Sequence, residues 1–230
     1  MGYRDIHSHY LYGLDDGTKT KQEMEAMLDA AQADDISSLF ATPHVIPGVR
    51  FFDFSAYAKR LNEALDYCQQ QGYTMTLRKG AEVMYTPALR GYMADHPLPT
   101  LADSKHVLIE FLPDITLPEL EDALELLERY GYIAVLAHIE RYACLFHKNS
   151  VNELKSRYDV RYQVNANAIL CDHGFLRARR IHSWFQDKLV DFIASDAHDI
   201  NMRPYQMKKA YEKLKQRYGR EYADQLTGFH

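Results

Sequence analysis

Nine residues able to ligate a metal, His7, His9, Asp16, His44, Glu82, Glu110, His138, Asp196 and His198, stand where short apolar runs of this chain end. Parallel α/β proteins gather their chemistry at the carboxyl ends of strands. Donors drawn from seven separate stretches therefore point to one multinuclear site at the mouth of a parallel sheet.

The rest of the sequence fits that layout. Tyr3–Ile6, Ile36–Ala41, Thr74–Val83, His106–Leu112, Tyr132–Ala137, Tyr162–Ala166 and Leu189–Ser195 read as strands, several of them with little polar alternation, as strands buried on both faces do. Helical stripes lie between them. Met24, Met27, Leu28 and Ala31 follow Thr20 and Glu23, which make a capping box. Tyr57, Leu61, Ala64, Leu65 and Cys68 form a second stripe that Gly72 closes. Leu120, Ala123, Leu124 and Leu127 form a third, with Thr116 as cap, Pro118 in the first turn and Gly131 at the exit. Met207, Ala210, Tyr211, Leu214 and Tyr218 form the last before Gly219. Seven strand–helix units predict a (β/α)7 barrel, one unit short of the common eight, or an open sheet of the same order. With no linker, repeat or composition break, residues 1–230 read as one domain.

Composition narrows the function. A formal charge of −5 and the absence of a basic stripe argue against a nucleic-acid or anionic-membrane surface. No stretch is long and apolar enough to span a bilayer. The N-terminal residues lack a signal-peptide core, and Ile6 stands where a myristoylation motif needs Ser or Thr. Cys68, Cys144 and Cys171 are too few and scattered for a disulfide framework or a thiolate zinc site, so a reduced, cytoplasmic protein is expected.

Asp5-Ile6-His7-Ser8-His9 is the sharpest local signal, because residues i and i+2 of a strand point the same way and both imidazoles can face one ion. Asp5 shares that face and is placed to bond an imidazole or a water beside it. Asp196-Ala197-His198 repeats the spacing at the end of a buried strand, where an unpaired acid and imidazole would be costly. His138, Glu110, Glu82 and His44 each interrupt or close an apolar run. Asp16, in Asp15-Asp16-Gly17, competes with a plain turn, and Asp15 reads as a loop residue. Imidazole and carboxylate ligation without sulfur suits manganese, iron or zinc, with the carboxylate share favouring manganese. Nine donors are too many for one ion and suit three sharing a bridging carboxylate.

In these motifs the chain resembles the polymerase and histidinol phosphatase (PHP) superfamily, and within it the manganese-dependent protein-tyrosine phosphatases of bacterial capsular and exopolysaccharide operons. The matching pieces are D-I-H-S-H at 5–9, L-D-D-G at 14–17, A-T-P-H at 41–44, G-A-E at 80–82, I-E-F at 109–111, A-H-I-E-R-Y at 137–142, A-S-D-A-H at 194–198 and R-P at 203–204. The resemblance implies a trinuclear centre in a distorted (β/α)7 barrel. It implies one ion on His7, His9, Glu82 and Asp196; a second on Glu82, Glu110 and His138; and a third on Asp16, His44 and His198. Glu110 stands where many superfamily members carry His; the tyrosine-phosphatase branch resembles this chain in having Glu. Ile139 departs from that branch, which has Pro there.

Such a centre suits phosphate ester hydrolysis by direct in-line attack of a metal-activated hydroxide. Arg141 and Arg203, each shortly after a donor, match the family's arginines and are the candidate clamps on phosphate oxygens. No general acid is named; Asp199 is near enough to consider. Val45–Phe54 reads either as a rim for a substrate ring or as a loop tucking its aromatics into the core, the second being the simpler. Cys171 and Arg177 have the spacing of a cysteine-phosphatase loop, but Asp172 to Leu176 offers one glycine among bulky residues, which argues against it. The expectation is a phosphotyrosine-protein phosphatase, its partner, by resemblance, a bacterial tyrosine kinase tail. A phosphomonoesterase of histidinol-phosphate type, a diesterase and a non-catalytic metal-stabilised adaptor are the rivals.

Overall fold

The computed structural model describes residues 2–49, 52–147, 149–170 and 174–228. The chain opens with β1 (Tyr3–Asp5), α1 (Lys21–Ala33), β2 (Ile36–Ala41), β3 (His44–Val45) and α2 (Phe54–Gln71). Next come β4 (Thr76–Lys79), β5 (Glu82–Met84), α3 (Leu89–Asp95), β6 (His106–Glu110), α4 (Leu117–Arg129) and β7 (Ile133–Leu136). After these follow α5 (Ser150–Arg157), β8 (Val160–Asn165), α6 (Ala166–Leu170), α7 (Phe175–Gln186), β9 (Phe192–Ala194), α8 (Met207–Tyr218) and α9 (Arg220–Thr227).

Every ladder is parallel, in the orders β1-β2-β4 and β3-β5-β6-β7-β8-β9. The two sheets continue one another, because β3 prolongs β2 past Pro43 and β5 prolongs β4 past Gly80 and Ala81. The expected strand Thr74–Val83 is thus two short ones. A Cβ on Gly80 would stand 3.0 Å from both Leu101 and Thr42 side chains, so a larger residue would crowd the point where the strand is interrupted. Ser8 bridges Ala197 in parallel, and Asp196 N–H donates to the His7 carbonyl (2.9 Å). The last strand thereby returns to the first, giving the strand sequence of a distorted seven-unit α/β barrel.

Local chemistry explains the helices. Thr20 and Thr116 each form the expected capping box, with Glu23 and Glu119. Gly72 ends α2 in the left-handed region, at φ 71°. The α2 stripe is narrower than expected: Tyr57, Leu61, Ala64 and Cys68 are buried, whereas Leu65 is 43% exposed. A smaller cluster of Ile6, Phe40, Leu101, Leu108, Val135, Ala137 and Ala194 lies apart from the main core. Apart from Leu101, which opens a 3-10 turn, its members lie on or directly after strands, as the filling of a barrel does. In the loop from Val45 to Phe54, Phe52 packs on the core and on Tyr57, while Phe54 is half-exposed. Arg50, Phe51 and the Cys171 stretch lie outside the described residues.

Candidate metal centre

The nine sequence-selected donors converge at the carboxyl ends of the strands. Their donor atoms fall into three groups, each within 4.8 Å: His7, His9, Glu82 and Asp196; His9, Asp16, His44 and His198; and His44, Glu82 and Glu110. His138 Nε2 joins the last, 2.9 Å from Glu82 Oε1 and 3.6 Å from Glu110 Oε2. Glu82 is the hub. Its Oε2 stands 3.0 Å from His7 Nε2, 3.3 Å from His9 Nε2 and 3.3 Å from His44 Nδ1. All nine are buried or nearly so except Asp16, whose side chain is 61% exposed at the mouth.

Two backbones are bent to achieve this. His138 has φ 33° and Asp196 φ 54°, left-handed conformations that cost a non-glycine residue on the order of 1–3 kcal/mol each. Both follow directly on buried strands, and the bend turns each side chain inward. Gly17 serves the loop carrying Asp16: a Cβ there would meet the His9 carbonyl at 2.1 Å.

The donor set fits divalent cations. For bonds of about 2.1 Å, donors around one ion stand about 3.0 Å apart in an octahedron and about 3.4 Å in a tetrahedron. In the first group His7 and His9 Nε2 are 3.1 Å apart, and Asp196 Oδ1 lies 3.4 and 3.6 Å from them. Two imidazole nitrogens face to face cannot both carry protons. His198 Nε2 is buried without a hydrogen bond. His44 Nδ1 and Glu110 Oε1, 2.9 Å apart, also lack the alignment of one. Buried polar atoms left so are rare unless a further ligand joins them.

Electrostatics within the centre are strongly biased. Burial pushes His9, His44 and His138 down, but facing carboxylates outweigh it; at His198 burial prevails and the imidazole is lowered. Asp15 and Glu82 bring His9 up to about 9, and Asp16 and Glu110 bring His44 up to about 11. Glu110 and Glu82 bring His138 up to about 9. Burial raises the Glu82 carboxyl, but the surrounding imidazoles outweigh it and hold Glu82 well below the carboxylate range. The His198 and His44 imidazoles, each 3.3 Å from Asp16 Oδ1, lower Asp16.

Some supporting residues escaped the sequence reading. Asp15 is more than a loop residue: its Oδ2 accepts from His9 Nδ1 (2.7 Å) and the His44 N–H (3.1 Å), turning His9 Nε2 toward the centre. Among the described residues Asp5 bonds to backbone rather than to an imidazole; its Oδ1 accepts from the His7 and Ser195 N–H groups (3.2 and 3.0 Å), tying first strand to last. Gln163 Oε1 accepts from His7 Nδ1 (3.2 Å) and the His138 N–H (2.8 Å). Its amide donates to Asn165 Oδ1 (2.7 Å), and Asn165 Nδ2 donates to Asp196 Oδ2 (2.9 Å). The available signal was two amides at i, i+2 on one face of a buried strand. Gln163→Leu is expected to weaken metal binding about 10–100-fold with the fold retained, measured by competition against a chromophoric chelator. Unchanged affinity would remove Gln163 from this role.

Arg141 and Arg203 converge on one atom: their Nη2 groups lie 2.6 and 3.0 Å from Asp196 Oδ2, the oxygen turned away from His7 and His9. Both remain about 40% exposed, at 40% and 39%. Asp199 is no acid. Burial raises its carboxyl, but N–H groups of Met202, Asn201 and Arg203 outweigh that and hold it below the usual range as an acceptor.

Parallel strands with imidazoles and carboxylates gathered at their carboxyl ends define a metal-dependent hydrolase of PHP type. The chain belongs to the capsular polysaccharide synthesis CpsB/CapC family, whose model matches residues 3–228. It is 26% identical over 229 residues to the tyrosine-protein phosphatase CpsB of Streptococcus pneumoniae, covering 96% of this chain and 93% of that protein. It is likewise 26% identical over 223 residues to the tyrosine-protein phosphatase YwqE of Bacillus subtilis, covering 97% and 88%. A crystal structure from the study of YwqE and CpsB, described as unique metal-dependent tyrosine phosphatases, superposes with TM-score 0.84 at 26% identity over 95% of this chain and 89% of that one. A histidinol phosphate phosphatase of Lactococcus lactis shares the fold, at TM-score 0.57 and 13% identity over 99% and 95% of the two chains. No helix among the described residues is long and apolar enough to cross a membrane.

Proposed function

We propose that this chain is a metal-dependent protein-tyrosine phosphatase, acting in the cytoplasm on the phosphotyrosine tail of a bacterial tyrosine kinase that governs capsular or exopolysaccharide synthesis. The observation that carries the reading is Asp196: one oxygen faces the imidazoles of the first donor group, the other two solvent-reaching guanidinium groups. A phosphate seated between cations and arginines is what that geometry favours. Family membership and the relatives' names support phosphotyrosine as the ester.

His7, His9, Glu82 and Asp196 would hold one divalent ion, with Glu82 shared toward Glu110 and His138, and Asp16, His44 and His198 holding another. Manganese is the first choice for this set, before iron or zinc, since carboxylates share it with imidazoles. When bound, such ions provide positive charge for the phosphoryl group and a nucleophilic water near neutral pH. Arg141 and Arg203 bind the non-bridging oxygens, and Asp196, aided by Asn165, aims both guanidinium groups. Phenolate leaves readily, so the reaction does not require a strong acid such as the one Asp199 fails to be.

A parallel assay of a phosphotyrosine peptide, histidinol phosphate and a phosphodiester, each with manganese and with chelator, tests the reading. Metal-dependent turnover of the peptide is expected to dominate. Arg141→Ala and Arg203→Ala are each expected to lower kcat/KM on it by about a hundredfold with metal content unchanged. Preference for histidinol phosphate by orders of magnitude would replace the reading, and arginine variants of full activity would leave the clamp without support. A peptide bound but never turned over would point to the adaptor.

A further inference from the structure

Beside the metal centre runs a cleft walled by Arg141, Phe146, Leu176, Arg177, Arg179 and Arg180. Arg141 belongs to both, so whatever fills the cleft continues from what occupies the centre. In a chain of net charge −5, four guanidinium groups around one depression are a local reversal of sign. Arg177 is held in place, its guanidinium 5.0 Å from the Phe146 ring centre and donating to the Glu140 carbonyl. Among the described residues, Arg177, Arg179 and Arg180 have no carboxylate within ion-pair distance. Arg177 and Arg180 lie three apart on α7 and so share a face. Leu176, 79% exposed, and Phe146 add apolar surface.

Like charges side by side repel one another, and an anionic partner relieves that repulsion. Guanidinium groups pair with carboxylates in fork geometry, while apolar walls suit the stems of peptide side chains. We propose, resting on the phosphotyrosine reading above, that this cleft binds the segment flanking the phosphotyrosine in the substrate polypeptide and selects acidic side chains there. The metal centre reads the phosphate; α7 reads the charge of its neighbours.

Three substrates separate the possibilities: a phosphotyrosine peptide with glutamates around the phosphotyrosine, the same peptide with lysines, and p-nitrophenyl phosphate, which is too small to extend into the cleft. The unaltered manganese-loaded enzyme is expected to show a KM roughly tenfold lower for the glutamate peptide at similar kcat. In the double variant Arg179→Glu with Arg180→Glu that preference is expected to vanish or invert, while p-nitrophenyl phosphate turnover stays as it was. Equal KM values for the two peptides in the unaltered enzyme overturn the cleft's role, whatever the variant does. Preference intact in a variant of normal p-nitrophenyl phosphate turnover overturns it as well. Failure of the unaltered enzyme to hydrolyse either peptide, with p-nitrophenyl phosphate still cleaved, overturns the phosphotyrosine reading itself and the cleft assignment with it.

Discussion

Glu82→Gln is expected to lose at least one metal ion per chain and about a thousandfold in turnover, while the protein stays folded. The side chain is buried at the junction of the donor groups, with both oxygens employed. One faces His138 at 2.9 Å and the other His7, His9 and His44 at 3.0, 3.3 and 3.3 Å. The amide keeps the volume but removes a negative charge and one lone-pair oxygen. It also turns an N–H₂ donor toward nitrogens that must themselves offer lone pairs. Elemental analysis of the purified variant and its rate on a phosphotyrosine peptide are the measurements. Full metal content with a rate within tenfold of the parent would show that Glu82 is not the shared ligand.

The second large effect concerns stability. Saturating manganese is expected to raise Tm by on the order of 10 °C over chelator-treated protein. Binding at a thousandfold excess over Kd contributes about 4 kcal/mol per site, and a chain of this size gains about 2–4 °C per kcal/mol. The difference is also expected to widen as the medium becomes alkaline. In the metal-free protein, His9 and His138 are brought up to about 9 and His44 to about 11, against an ordinary 6.5. A group raised on folding contributes fully below its unfolded value and loses that contribution as pH rises through its folded one. Metal-free protein should therefore weaken progressively above about 6.5, with the His9 and His138 contributions gone beyond about 9 and that of His44 beyond about 11. Glu82 and Asp16, lowered on folding, lose their contributions in the opposite direction, as pH falls. Cations replace the protons on these imidazoles and remove the alkaline loss. Thermal melts from pH 6 to 9.5, with metal and with chelator, check it; parallel pH curves would contradict a centre built on these histidines.

The donors were legible because they break a pattern. An acid or imidazole closing a run such as Ile133–Leu136 or Phe192–Ala194 has no business in an apolar strand unless something binds it. Helix limits were legible where a cap is a local hydrogen bond, as at Thr20 and Thr116. The split of Thr74–Val83 was not, since it lies in which neighbours each half pairs with, β4 with β2 and β5 with β3 and β6. Leu65 misled for the same reason: a heptad position says which face is apolar, not how wide a neighbour covers it.

What the residue order determined alone is the chemistry available: nine donors, two arginines and the alternating periods that deliver them to one end of a parallel sheet. Which donors share an ion's neighbourhood, that Asp15 and Gln163 aim imidazoles while Asp5 ties strands, and that Arg141 and Arg203 meet at one oxygen of Asp196 were decided only in three dimensions. Periodicity and caps are properties of neighbours along the chain. Hydrogen bonds and ligand groups span long stretches of it, 190 residues between Asp5 and Ser195, and exist only once the strands have closed round them.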